Sequence, residues 1–362
     1  MTKEYDISKL SSIELALGLS QIFGPTGCED RVALALYDEA KRLCDKAHID
    51  RMGNVYGVIS LGDSDKRKKV MLSAHTDEVG FMIEEIKRDG TLTFATLGGI
   101  DPSVVAGRNV LVGNEEKLYR GIICSKAIHH KSKSERSSAE DIEKLYIDIG
   151  ATDKESAESC VSVGDFATFE SKPIRFGKDA KTVKSKALDD RMGCALLVEL
   201  MRKIKSEPPS VDLDIYFCFT VGEETGHSGA IIASERISPD FALIFESTAV
   251  GDIPDAPSNK RVAELSKGAV ISVADRSTIY DKELIDLAFS LAKEKDIPLQ
   301  VKKYLSGGND AGHIHKSGKG VRALAVSIPT RYLHSPACVA HADDYDSAKR
   351  IAFELLLGID KL

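Results

Sequence analysis

Apolar positions along the chain return with two different periods, and the switches between them mark out the elements. From Glu29 to Cys44 the residues Val32, Leu36, Ala40 and Leu43 recur at helical spacing, which predicts a helix with one buried stripe. Two β-rich runs follow, Asn54–Ser60 and Val70–Ala74. The second is almost wholly apolar, as expected of a strand covered on both faces, and it runs into His-Thr-Asp.

From about Gly80 to Phe169 the texture changes to short strands separated by glycine or charged turns, among them GFMIEEI, TLTFATL, NVLVG, KLYRGIIC and FATFE. A single helical interruption is expected near Ser137–Leu145, so this stretch predicts a small all-β unit. Helix and strand then alternate. Helices are expected at Leu188–Lys205, Ser228–Arg236, Asp281–Lys295 and Ser347–Leu357, and strands at Leu213–Val221, Phe241–Phe245 and Val321–Ile328. Such alternation predicts an α/β sandwich with a buried sheet. The β-rich run interrupts that pattern and reads as an insertion: one discontinuous domain over 1–78 and 172–362, with a second unit at 79–171.

Composition narrows the function classes. The 362 residues carry 49 Lys plus Arg against 56 Asp plus Glu, a balance of −7, with no long basic run, which argues against nucleic acid as the main partner. No apolar run approaches the roughly 18 residues needed to span a bilayer. The N-terminal segment mixes charges into its apolar positions and lacks the apolar stretch of a secretory signal. The expected location is therefore the cytoplasm. Seven scattered cysteines, without a C-x-x-C pair, are expected to be free thiols.

Five places put acid, base or metal-binding side chains at the ends of expected strands, where an open α/β sheet binds its ligands. The first is Ser73-Ala74-His75-Thr76-Asp77-Glu78, in which His75 could take a metal while Asp77 orients its ring. The second is the pair Asp189-Asp190 at a helix start, which taken alone reads first as cap and dipole partners. The third is Gly222-Glu223-Glu224-Thr225-Gly226, where two like charges at a strand terminus call for a nearby cation. Glu246 closes an apolar strand, and His334 lies in Pro329-Thr330-Arg331-Tyr332-Leu333-His334. Each alone has a bland reading as a solvated turn. Two histidines and several carboxylates converging on one sheet edge look like a two-metal hydrolase site.

At that point the segments SAHTDEVGFMI, KALDDRMG, GEETGHSGA, SGGNDAG and PTRYLHSP, in this order, resemble the M42 family of metallo-aminopeptidases, relatives of the tetrahedral aminopeptidases and of proteins once labelled endoglucanase M. The resemblance covers nearly the whole chain. It implies a three-layer α/β/α catalytic domain with a mixed, mostly parallel sheet, plus an inserted small β-barrel-like domain that mediates dimer contact. It also implies that His75, Asp189 and Glu246 hold one divalent ion and that Asp189, Glu224 and His334 hold the other, with zinc or cobalt as first candidates and manganese as a further one. Asp77 would orient His75, and Glu223 would be the general base. Peptides with a free N-terminus would be the substrates, in a homo-oligomer built from dimers and reaching twelve subunits in relatives.

Three positions depart from the family pattern: Glu246 where Asp is usual, Gly222 in place of Gln, and His227-Ser228 in place of Leu-Arg. His227 is an extra imidazole near the site, with a partnership at a helix N-terminus as its plainer reading. The glycine-rich Ser306–Gly312 loop is expected to lie near the substrate through Gly307, Gly308 and Asp310. His313 and His315 form a His-x-His that reads as part of this loop, and His129 and His130 read as surface or interface residues. Rival readings are a glycosidase acting through paired carboxylates, a non-catalytic scaffold of the same fold, and a deacylase or carboxypeptidase on the same metal pair. The absence of tryptophan counts against sugar.

Overall fold

The computed structural model describes residues 6–130, 140–254, 256, 257, 259 and 261–362. Helices α1 (Ser12–Ser20) and α2 (Asp30–Leu43) lead into strands β1 (Lys46–Ile49), β2 (Val55–Leu61) and β3 (Lys68–His75). The stripe on α2 is buried as its spacing requires, with Val32, Leu36 and Ala40 fully covered and Lys41 and Arg42 in the last turn, where cations favour the helix C-terminus. The chain then enters a closed barrel of β4 (Gly80–Ile86), β5 (Leu92–Leu97), β6 (Asn109–Gly113), β7 (Leu118–Cys124), β8 (Tyr146–Asp148) and β9 (Phe166–Phe169), with the short α3 (Lys154–Glu158) before β9.

The rest of the chain supplies β10 (Ile174–Phe176), β11 (Thr182–Ser185), α4 (Leu188–Ser206), β12 (Leu213–Thr220), α5 (Ser228–Ile237) and β13 (Phe241–Ala249). It ends with β14 (Ala269–Ile271), α6 (Lys282–Glu294), β15 (Leu299–Val301), α7 (Ala311–Ile314), β16 (Arg322–Thr330), β17 (Cys338–His341) and α8 (Ala342–Ile359). Eight strands form the main sheet in the order β1-β2-β12-β3-β13-β16-β14-β15. Its central run β12-β3-β13-β16 is parallel, while β2 joins β12 and β14 joins β16 antiparallel. Helices α1, α2, α4, α6 and α8 pack together on this sheet, and α5 and α7 form a separate pair against it. The result is a mixed α/β/α sandwich beside a barrel.

Two apolar cores correspond to these two bodies. The larger joins α1, α2, α4 and α8 to the main sheet; the smaller is drawn wholly from residues 81–169 and includes the edge-to-face rings Phe81, Phe94 and Phe169. Within the expected helix at Ser137–Leu145, residues 137–139 lie outside the described residues, and the remainder forms a 3₁₀ turn at Ile142–Lys144. The α-helix of this unit is α3 instead, started by a capping box between Asp153 and Ser156. Seven strands of three or four residues, β1, β8, β10, β11, β14, β15 and β17, have no counterpart in the apolar pattern, being too short to show a period. The seven cysteines are free thiols, and among the described residues no helix is long and apolar enough to cross a membrane.

Candidate active site

Parallel pairing brings the C-terminal ends of β3, β12, β13 and β16 to one edge of the sheet. His75 ends β3 and is in register with Thr220, the last residue of β12. The turn after β12 therefore presents Glu223 and Glu224 beside His75. Glu246 lies on the neighbouring β13, opposite Ser327 of β16, and β13 continues past it to Ala249, so this acid sits within the strand and does not close it. His334 follows β16 in a left-handed conformation. These side chains come from four different strands and the turns that follow them, as expected at the carboxyl edge of an open sheet.

The two aspartates at the start of α4 divide their roles. Asp190 Oδ1 accepts the backbone N–H of Gly193 at 3.0 Å, which makes it the cap of the regular helix. A Cβ at Gly193 would lie 2.3 Å from the Asp190 carboxylate, so only glycine allows that approach. Asp189, freed from capping, turns its two oxygens in different directions. Its Oδ1 is 3.4 Å from His75 Nε2 and its Oδ2 is 3.5 Å from His334 Nε2.

Each imidazole completes its own group. His75 Nε2 is also 3.4 Å from Glu246 Oε1, and His334 Nε2 is 3.2 Å from Glu224 Oε1. The opposite ring nitrogens are both tied to acceptors. His334 Nδ1 donates to the carbonyl of Gly99 at 2.7 Å, and His75 Nδ1 faces the carbonyl and carboxylate of Asp77 at 3.2 and 3.4 Å. Both rings thereby direct Nε2 at the carboxylates, the orientation a metal ligand needs. His75, Asp189 and Glu246 place ligand atoms within 4.8 Å of one another, as do Asp189, Glu224 and His334.

The electrostatics of the site favour a bound cation. Burial pushes the Glu246 carboxyl up to about 8, aided by Asp189 and opposed by His75. Burial likewise holds Glu223 and Asp190 well above the usual carboxylate range. For His334, burial alone would lower the value, but Asp189 and Glu224 outweigh it and raise it to about 11. His75 is also raised, against burial, by Glu246, Asp189 and Asp77. The buried Oδ1 of Asp189 and Oδ2 of Asp190 have no hydrogen-bond partner. Imidazole and carboxylate donors with an unsatisfied shared oxygen fit zinc, cobalt or manganese.

Asp77 is fully buried and connects the two halves of the site. Besides His75 it accepts Thr26 Oγ1 at 2.7 Å and the backbone N–H groups of Glu223 and Glu224 at 3.1 and 3.0 Å. A cleft of about 500 Å³ opens in front, lined by Asp189, Glu223, Glu224, Glu246 and His334 on one side and by Lys302, Gly307 and Gly308 on another. Asp310 does not line it. It lies one layer deeper, 2% exposed, bonded to Thr220 Oγ1 and to His227 Nδ1. His313 stands 4.9 Å from the ring of His227, while His315 Nδ1 bonds to the carbonyl of Ala311. His129 and His130 are exposed on a 3₁₀ turn of the barrel unit.

Three contributors escaped sequence reasoning: Thr26, the Gly99 carbonyl and Lys302. Nothing in their local sequence distinguishes them, because each reaches the site from a segment remote in the chain. Lys302 is half-buried, and among the described residues no carboxylate lies within ion-pair distance of its ammonium.

The sequence profile of the M42 glutamyl aminopeptidase family matches residues 53–351. The chain belongs to the M42 peptidase family. Among other M42-like proteins, one of Acetivibrio thermocellus that carries a provisional aminopeptidase name is 36% identical, over 92% of this chain and 95% of that one. A TET aminopeptidase from the marine sediment archaeon Thaumarchaeota archaeon SCGC AB-539-E09 superposes with a TM-score of 0.90 at 33% identity, covering 95% of each chain. The TET1 peptidase of Pyrococcus horikoshii, described as assembling into a tetrahedron or a large octahedral shell, gives a TM-score of 0.79 at 31% identity, over 93% of this M42 chain and 96% of that one.

Proposed function

We propose that this M42 protein is a two-metal aminopeptidase that removes N-terminal residues from peptides. The observation that carries the reading is the carboxylate of Asp189, whose two oxygens face two different imidazoles, each paired with a further acid. In this reading His75, Asp189 and Glu246 hold one divalent ion and Asp189, Glu224 and His334 the other. Bound there, the pair would supply Lewis acidity and make water a stronger acid near neutral pH.

The chain's own groups do the rest. Glu223 lies beside both groups without belonging to either and has a carboxyl raised well above its usual range, chiefly by burial, which suits an acid that must both take and return a proton near neutrality. It accepts the proton of the attacking water and passes it to the departing amine, a role that typically contributes about 10²–10⁴-fold. Asp77 holds the His75 ring and the backbone of the Glu223 loop in one arrangement. Gly307 and Gly308 bring bare backbone to the cleft wall, and Asp310 acts from behind it. Lys302 offers an ammonium that no carboxylate pairs with among the described residues, which suits an acidic side chain on the N-terminal residue.

A glycosidase would hold its two carboxylates about 5–5.5 Å apart in the retaining case, or further for inversion. Here the acids converge on imidazoles with ligand atoms within 4.8 Å, which favours the metal reading. We also assign the barrel unit to contacts between subunits of a homo-oligomer, in line with the assembling Pyrococcus horikoshii relative.

Glu223→Gln tests the mechanism. Metal content per subunit should persist while hydrolysis of free aminoacyl substrates collapses, and an undiminished rate would sink the assignment of the base. A matched panel of free and N-acetylated peptides separates an aminopeptidase from a deacylase or carboxypeptidase.

A further inference from the structure

The ring of His227 is built into the site. The residue caps α5 in a left-handed conformation, with φ of 62°. Its Nδ1 lies 3.0 Å from Asp310 Oδ1 and 3.3 Å from Glu223 Oε1. Both neighbours are acceptors, so Nδ1 carries the hydrogen and donates it to Asp310, with the Glu223 carboxylate at ion-pair distance from the same nitrogen. Asp310 cannot yield, because its other oxygen accepts Thr220 Oγ1 at 2.8 Å, and Thr220 is the fully buried last residue of β12. A continuous line thus runs from the end of a central strand through Asp310 and His227 to Glu223. No other side chain outside the two groups of candidate metal ligands is paired with the Glu223 carboxylate among the described residues.

We infer that His227 is a positioning residue for Glu223: with its Nδ1–H anchored on Asp310, the ring sets where the Glu223 carboxylate, 3.3 Å away, stands in the site. The imidazole neither gains nor loses a proton in this role.

The inference rests on Glu223 being the base, so the test includes Glu223→Gln in parallel. His227→Gly removes the ring at a backbone conformation that glycine adopts freely. His227→Asn keeps a donor close to the position of Nδ1, on a residue that tolerates the left-handed region. The readouts are kcat, KM and bound zinc per subunit on an aminoacyl substrate. His227→Gly should lower kcat about tenfold, the scale of one lost contact between a polar donor and a charged group. KM and zinc content should stay within about twofold, and His227→Asn should recover most of the rate. In the Glu223→Gln background, His227→Gly should change nothing further.

An unchanged kcat in His227→Gly, equal losses in the Gly and Asn variants, or a further loss in the Glu223→Gln background would each overturn the inference. So would a third zinc ion per subunit that disappears with His227, because the Glu223–His227–Asp310 trio would then be ligands. Full activity in Glu223→Gln would remove the base assignment itself, a result distinct from any outcome at His227.

Discussion

The carboxylate of Asp77 accepts the backbone N–H of Glu223 at 3.1 Å while standing 3.4 Å from Nδ1 of His75. One fully buried acid therefore fixes both a candidate ligand and the loop that carries the candidate base. Asp77→Ala should weaken zinc binding by about 10–100-fold, the usual cost of losing a partner behind a ligating histidine. The rate should fall with it even at saturating zinc, because the Glu223 and Glu224 amides lose their acceptor. Zinc titration of the metal-stripped variant, with kcat measured on the reloaded protein, checks both halves. Unaltered affinity would limit Asp77 to the loop.

Chelation should destabilise as well as inactivate. Without cations, the Glu224 and Glu246 carboxyls are pushed up by burial and by Asp189, an effect the imidazoles of His334 and His75 only partly oppose. Binding at about a thousand times the dissociation constant adds roughly 4 kcal/mol to the stability of the loaded form. At about 1.3 °C per kcal/mol for a chain of this length, the melting temperature should fall by roughly 5 °C after chelation and return with zinc, cobalt or manganese. Identical melting curves with retained hydrolysis would argue against any resident metal.

Asp344 makes stability depend on pH away from the site. It is fully buried and accepts the backbone N–H groups of Ser266 and Gly268. Burial pushes its carboxyl up to about 7, against the lowering effect of those N–H groups. The folded state therefore keeps this proton over a range in which the unfolded chain, with a value of roughly 3.9, has lost it. Stability from this group is complete below that unfolded value and declines as pH rises toward about 7, with a slope of at most about 1.4 kcal/mol per pH unit. Asp344→Asn should flatten urea-unfolding stability between about pH 4 and 7 relative to the parent. Parallel profiles would show that Asp344 does not titrate in this range.

Lys302 sets a prediction for substrate choice. Its ammonium lines the cleft and lies 3.9 Å from where a Cβ on Gly307 would be. Burial lowers its basicity, partly offset by Asp275 and Glu246. Lys302→Glu should cut kcat/KM for N-terminal Glu substrates by about 100-fold and raise it for N-terminal Lys, since reversing a charge turns an attractive contact into a repulsive one. Neutral N-terminal residues should change little. A uniform loss across the panel would place Lys302 in the scaffold and not in the specificity pocket.

The long helices and central strands were legible because burial writes a period into the sequence. The stripe of α2 and the apolar run of β3 are instances, and the expected bounds of α4, β12 and α5 lie within a residue or two of those observed. The three-residue strands β10, β14 and β15 carried no such record. Glu246 looked terminal because its apolar run stops at Phe245, yet hydrogen bonding to β16 carries the strand to Ala249. At Asp189-Asp190 the sequence left cap and ligand as alternatives. The structure makes Asp190 the cap, through its bond to Gly193, and leaves Asp189 facing the imidazoles of His75 and His334.

By itself the sequence determined which chemistry was available: carboxylates and imidazoles at strand ends, in an order that resembles one peptidase family. Only the tertiary structure decided how they combine. The Gly99 carbonyl that orients His334 is 235 positions away in the chain, and Thr220, Asp310 and His227 meet behind Glu223 from three separate elements. Local patterns arise from burial of consecutive turns and strands, which neighbouring residues share. Hydrogen bonds across such distances depend on where the packed sheet and its loops place each backbone, and no short stretch of sequence records that.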